Sequence, residues 1–265
     1  MGLYFKNLET GETITINAQD TFPTASLIKI PIAIYTFDQI EKGKLGYYDK
    51  WVYRDSMAYG GSGYLQFFKD STTITVKALV NLMLTVSDNV AAIWLTKNLG
   101  GGDAINTLMD SLGFITTRMN SYSTGRKSFW DKYGWGMTTP EEMGILMERL
   151  FFKEILTPEA CDEIYRILTH PYWDEYAPSQ VPMTLSVASK TGALNDFRAE
   201  VACVNTPNLA YVICVITNNN VDQQWIKTNE ADQLIINLNR EVFGFYNPNY
   251  PDFFLITRDS LQAKY

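Results

Sequence analysis

The chain has 265 residues, of which 46% are apolar, and a formal net charge of −7. Such a length can bury a large core in one or two domains, and the acidic balance argues against nucleic acid or an anionic membrane as partner. No apolar run approaches the ~20 residues that span a bilayer; three scattered cysteines make no disulfide framework, and one histidine, His170, excludes metal clusters of several histidines.

Residues 3–16 read as a strand pair. Residues 26–35 read as a buried helix, and the spacing of three in Ser26-Leu27-Ile28-Lys29 puts a hydroxyl and an amine on one face, a turn apart. A serine hydroxyl becomes a nucleophile when a base takes its proton, and a lysine can be that base if burial or nearby positive charge lowers its pKa. Leu27, Ile28 and Ile30 supply apolar surroundings, and Lys190 could supply the charge. At a helix start the backbone N–H of Ser26 is also available to an oxyanion. The plainer alternative makes Ser26 an N-cap and sends Lys29 to solvent.

Gly60-Gly61-Ser62-Gly63-Tyr64 is a tight-turn signal, expected at the rim of a cleft, without the basic residue and strand context of a phosphate-binding loop. Helical patterns at 75–84 and 90–95, the second closed by Gly100-Gly101-Gly102, flank Ser87-Asp88-Asn89, which is therefore an interhelical turn. Asp88 suits a helix cap. Ser87 and Asn89 would point into a cleft, the first relaying a proton to a leaving nitrogen and the second holding a substrate amide.

His170, before Pro171, reads as a structural loop residue. Residues 185–189 alternate and run into Lys190-Thr191-Gly192; strand-like runs follow at 197–205 and 209–217, joined by Thr206-Pro207-Asn208, and a helix closes the chain near 228–243. On an edge strand Lys190 and Thr191 can bind a carboxylate, Gly192 lets substrate approach the backbone, and Ala193 offers a second oxyanion N–H. Arg198 is either a further carboxylate anchor or an exposed strand arginine paired with Glu200 or Asp196. Strands from both chain ends must share one sheet. The expectation is a discontinuous α/β domain (1–24 and 181–265), an inserted all-α domain (25–180), and an active site in the cleft between them.

With these three motifs in this order, the chain resembles the penicillin-recognising serine hydrolases, and within them the class A β-lactamase group. The resemblance covers nearly the whole chain, from the opening hairpin at 3–16 through Thr138-Thr139-Pro140-Glu141-Glu142-Met143, which resembles the family's helix start after its omega loop. It implies an α/β fold with an antiparallel five-stranded sheet flanked by helices, plus the inserted all-α domain. It also implies roles: Ser26 is acylated, Lys29 is the general base, Ser87 shuttles a proton, and Lys190, Thr191 and Ala193 with Asn89 handle the substrate and its carboxylate. No cofactor or metal is implied. The expected substrate is a β-lactam or a D-Ala-D-Ala-like peptide, the expected protein a monomer outside the cytoplasm. No secretory leader is read, and Met1-Gly2 enters directly at a strand where the family has a preceding helix, so a trimmed chain is expected.

One stretch departs from the family. The omega loop pattern T-x-L-D-R-x-E is best matched by Thr117-Arg118-Met119-Asn120-Ser121-Tyr122-Ser123, which puts serine where the water-activating glutamate belongs; the nearest acid is Asp131. An acyl-enzyme that forms and hydrolyses slowly is the expectation. The alternatives are a D,D-peptidase, another penicillin-binding enzyme, a sensor that stays acylated, or a serine amidase or esterase on unrelated substrates.

Overall fold

A computed structural model describes residues 1–207 and 209–248. Asn208 of the expected turn and residues 249–265 of the expected sheet domain lie outside the described residues. The chain opens with β1 (Gly2–Asn7), β2 (Thr13–Ile16) and β3 (Phe22–Pro23), then a 3₁₀ turn (Ala25–Ile28) that feeds α1 (Lys29–Glu41). Next come β4 (Lys50–Val52), β5 (Thr73–Thr75), α2 (Val76–Thr85), α3 (Asn89–Asn98), α4 (Gly101–Ser111), β6 (Arg118–Met119), α5 (Lys127–Tyr133) and β7 (Gly136–Thr138). The chain continues with α6 (Pro140–Phe151), α7 (Pro158–Leu168), α8 (Ala177–Gln180), β8 (Ser186–Leu194), β9 (Phe197–Thr206), β10 (Leu209–Asn218) and α9 (Glu230–Tyr246).

The main sheet has five strands in the order β2-β1-β10-β9-β8, antiparallel throughout. Both chain ends contribute to it, and β8 forms one edge. β9 and β10 are buried nearly end to end because helices cover both faces. Phe197, Ala199, Val201 and Cys203 join the core with α1 and α6, while Ala202 and Val204 face Ile235 and Phe243 of α9. The period of two thus decides which side chains look toward α1 and α6 and which toward α9.

The stretch expected to be all helical, 25–180, also carries the two-stranded sheet β4-β5 and the strands β6 and β7, which pair with β3 from residues 22–23 in the order β3-β7-β6. Their strands have two or three residues, too few for alternation to register in the sequence. The helix expected from Ser26 begins instead as the 3₁₀ turn, with α-helix from Lys29. Pro31 is tolerated in the first turn of α1, where N–H groups have no intrahelical partner. Leu27, Ile28, Ile30, Ile32 and Ile34 are fully buried, each stabilising the fold by roughly 1.5–3 kcal/mol. Among the described residues no helix is long and apolar enough to cross a membrane.

Candidate active site

Ser26 sits in the 3₁₀ turn and Lys29 begins α1, so the side chains meet across one turn: Lys29 Nζ is 2.9 Å from Ser26 Oγ. Lys29 is completely buried. Its nitrogen also donates to Ser87 O (2.6 Å), Ser87 Oγ (3.1 Å) and Asn89 Oδ1 (2.8 Å). Lys190, on β8, reaches the same hydroxyl at 3.1 Å and donates to Thr191 O at 2.9 Å. Ser87 Oγ therefore bridges two lysines, of which Lys190 lies 103 residues further along the chain than the serine itself.

Two buried amines sharing one hydroxyl cannot both carry charge cheaply. Burial, and then the nearby Lys190 charge, push the Lys29 pKa well below the usual lysine range, against a smaller opposing pull from Asp88. Burial lowers Lys190 to about 7. A neutral Lys29 at hydrogen-bond distance from Ser26 Oγ has a lone pair that can accept its proton.

The turn that carries Ser87 is held from outside. Ser87 has φ +57°, a left-handed conformation that costs on the order of 1–3 kcal/mol in a non-glycine residue and persists only where its surroundings fix it. Asp88 supplies that fixing. One carboxylate oxygen accepts from Ala91 N and caps α3; the other accepts from Tyr64 N (2.7 Å) and Leu65 N (2.9 Å). Asn89 N donates to Ser62 O, and Asn89 Nδ2 to Gly60 O, each at 3.0 Å. The glycine-rich turn is thus stitched to Ser87-Asp88-Asn89. Gly63 is required there: its φ is +107°, and a Cβ would stand 2.3 Å from the Asp88 carboxylate.

The edge strand β8 lies against the 3₁₀ turn because Gly192 has no side chain. A Cβ on Gly192 would be 2.8 Å from Thr24 O and 3.3 Å from Ser26 N. Half-buried Thr191 and exposed Ala193 flank it. Ser26, Lys29, Ser87, Asn89, Lys190, Thr191, Gly192 and Ala193 are accordingly brought to one place.

Arg198 is not. The hairpin register pairs Lys190 with Val201 and Ala193 with Arg198, so Arg198 lies on the opposite face of the sheet from Lys190. It is 2% exposed; its Nε is 2.9 Å from Asp232, its other donors meet Phe197 O, Leu194 O and Gln224 O, and it stacks 4.4 Å from the Trp225 ring. Both expectations for it are corrected: it is neither an open carboxylate anchor nor an exposed arginine paired with Glu200 or Asp196. Glu200 is itself buried on that same face, accepting from Ser189 Oγ, Ala177 N and Asn239 Nδ2.

Ser123 faces the start of α4. Its Oγ donates to Met119 O at 2.8 Å, accepts from Asn106 Nδ2, and fills the space where a Gly102 side chain would be. Asp131 is exposed and ion-paired with Lys127. Trp135, which with Trp130 and Tyr133 reads in sequence as core or loop packing, has its ring 6.0 Å from Lys29 Nζ and 5.5 Å from that of Tyr59. Its loop position offered no periodic signal.

The family profile described as "Beta-lactamase enzyme family" matches residues 1–246. The chain is 25% identical over 197 residues to β-lactamase VEB-1 of Pseudomonas aeruginosa, covering 72% of this chain and 66% of that enzyme. It is 21% identical over 241 residues to β-lactamase BRO-1 of Moraxella catarrhalis, covering 89% and 77%. The match to VEB-1 thus spans just under two thirds of that relative's length. Among solved structures, a β-lactamase from Sphaerobacter thermophilus DSM 20745 superimposes with a TM-score of 0.84 at 25% identity, covering 94% and 92% of the two chains. A single-site mutant of PBP-A, solved as an acyl-enzyme complex with penicillin-G, superimposes with a TM-score of 0.82 at 24% identity, covering 93% and 90%.

Proposed function

The chain belongs to the β-lactamase enzyme family, and we propose that it is a serine hydrolase in which Ser26 is acylated by a β-lactam and the acyl-enzyme is then hydrolysed slowly. The contact between Ser26 Oγ and the buried Lys29 amine at 2.9 Å carries this reading. Lys29, kept neutral by burial and by Lys190, takes the hydroxyl proton as Oγ attacks the lactam carbonyl. The N–H groups of Ser26 and Ala193 receive the oxyanion, which the close approach of Gly192 to Ser26 N supports. As the C–N bond breaks, Ser87 Oγ gives its proton to the leaving nitrogen and recovers one from the lysine amines that flank it. Lys190 and Thr191 bind the substrate carboxylate, and the second proton of Asn89 Nδ2 holds the acyl amide. Among the described residues, 1–24 and 181–248 make up the sheet unit and 25–180 the helical insertion, with the site in the cleft between them; the protein acts outside the cytoplasm.

Slow hydrolysis follows from the surroundings of the base. The acceptors around Lys29 Nζ are two hydroxyls, a carbonyl and an amide oxygen. Ser123 is turned toward α4, and Asp131 is paired with Lys127. A serine has no proton-accepting capacity near neutral pH with which to activate water. The same feature favours a second reading, a penicillin-binding enzyme on D-Ala-D-Ala-like peptides, which keeps its β-lactam adduct. Intact-protein mass spectrometry over time after mixing with benzylpenicillin separates the two: a slowly decaying adduct supports the slow lactamase, an adduct that does not decay the penicillin-binding enzyme. No adduct refutes both.

A further inference from the structure

β2 is one edge of the main sheet, and all four of its residues are exposed. Its register against β1 pairs Ile14 with Phe5 and Ile16 with Leu3, so the two isoleucines share the face that Leu3 and Phe5 turn toward α9. Leu3 and Phe5 are covered there. Ile14 and Ile16 stay 47% and 43% exposed.

α9 borders the same strip with a second row of apolar side chains. One flank of the helix belongs to α8, at the β8 end of the sheet: Tyr176 donates to Asp232, and Arg240 donates to Gln180. The opposite flank faces the β1-β2 end, and there Leu234, Leu238 and Phe245 fall in line at spacings of four and seven. Leu238 is half-buried, while Leu234 is 37% and Phe245 77% exposed. Contiguous apolar surface of this kind marks an interaction site.

The occupant is argued from where α9 ends. The Tyr246 ring stacks on Phe5 at 5.5 Å and its hydroxyl donates to Glu12 Oε2, so the helix stops beside the start of β2. Pro248 bars the helix from running on. The sequence then continues for 17 residues, 249–265, and includes four consecutive large apolar side chains, Phe253-Phe254-Leu255-Ile256. Five residues from Pro248 to Phe253 reach up to ~17 Å, whereas the strand from Glu12 to Ile16 spans only about 13 Å. The apolar run can therefore arrive at the isoleucines.

We propose that residues 253–256 dock on this strip within the same molecule, covering Ile14 and Ile16 alongside the row from Leu234 to Phe245. The strip lies on the face of the sheet opposite Lys190, so the docking is a property of the fold and is separate from acylation.

The test labels cysteines placed in the full chain, whose three native cysteines are buried. Ile16→Cys and Thr15→Cys, on opposite faces of β2, are treated with a maleimide and followed by intact mass. Ile16→Cys should react at least roughly tenfold more slowly. Adding Phe253→Ser, Phe254→Ser, Leu255→Ser and Ile256→Ser should bring it within about twofold of Thr15→Cys, with circular dichroism establishing that the variant is folded. A second measurement keeps the apolar run and decides alone if the serine variant loses its fold. Ile16→Cys is combined with Phe254→Cys and, separately, with Leu255→Cys, and each protein is oxidised at low concentration; at least one pair should close a disulfide within a single chain. Equal maleimide rates, or slow labelling that the serines do not relieve, overturn the proposal. Protection lost on dilution, with a dimer seen by light scattering, makes a second copy the cover and also overturns it. So does the absence of an intrachain disulfide in both pairs.

Discussion

Ser87 Oγ lies 3.1 Å from Lys190 Nζ and 3.1 Å from Lys29 Nζ, so the protonation of one lysine bears on the other through a shared hydroxyl. Both pKa values are pushed down by burial, that of Lys190 to about 7, and in the proposed mechanism Lys190 keeps its proton while Lys29 acts as base. The sign follows directly. A lysine is charged below its pKa, so acylation by a carboxylate-bearing β-lactam should fall as pH rises through about 7. In Lys190→Arg the guanidinium stays protonated, and that falling limb should vanish even though the absolute rate drops with the changed shape. Stopped-flow acylation rates across the neutral range, from mildly acidic to mildly alkaline pH, measure both profiles.

Lys29→Ala should slow acylation by roughly 10²- to 10⁴-fold, the usual worth of a positioned proton acceptor. The loss should appear in the acylation rate and much less in the initial binding of substrate. Single-turnover kinetics separate the two. An unchanged rate would place the base elsewhere.

Gly192→Ala tests the close approach of β8 to the 3₁₀ turn. Its Cβ would lie 2.8 Å from Thr24 O, a backbone atom that cannot swing away, so strand and turn must part. Overpacking of this kind costs roughly 1–3 kcal/mol of stability. Acylation should fall at least tenfold, the equivalent of ~1.4 kcal/mol. A variant that melts lower yet acylates at the wild-type rate would show that strand proximity does not build the oxyanion site.

Glu200 sets a stability dependence unrelated to catalysis. Burial raises its pKa from 4.5 to about 7, opposed by hydrogen bonds from Ser189, Ala177 and Asn239. A carboxyl held up in the folded state contributes its stability fully below pH 4.5 and loses it as pH rises through 7, on the order of 3 kcal/mol across that window. Glu200→Gln, which resembles the protonated side chain, should flatten this part of the curve. Urea denaturation of both proteins at the two ends of that window and at its middle gives the comparison.

Ser123→Glu addresses deacylation. The longer side chain cannot occupy the space against Gly102 that Ser123 Oγ fills, so it turns into the adjoining cavity, on the side of Trp135 and Lys29. A carboxylate there should raise the deacylation rate at least tenfold, about 1.4 kcal/mol of barrier, and change acylation far less. Pre-steady-state bursts with a chromogenic cephalosporin report both steps in one trace.

The strands that carry this arrangement are legible in sequence because their signal is local. The runs at 197–205 and 209–217 match β9 and β10 within a residue, and the helix expected at 228–243 forms from Glu230 to Tyr246. Ser26 and Lys29 were readable for the same reason, since one helical turn fixes their distance. Arg198 shows where locality ends. Its face depends on the hairpin register across residues 195–196, and only the pairing with Ala193 reveals that it points away from Lys190. Asp88 was legible as a cap and not as the clasp on Tyr64 N and Leu65 N, because that partner comes from a loop more than 20 residues away.

The most direct test of the account is the site of the covalent bond. After a short reaction with benzylpenicillin and acid quench, proteolysis and tandem mass spectrometry should find the penicilloyl increment on the peptide containing Ser26, with fragment ions assigning it to that hydroxyl. Ser26→Ala should carry no increment. An increment on Ser87 or Ser123, or one that persists in Ser26→Ala, would contradict the assignment of Ser26 as nucleophile and of Lys29 as its base.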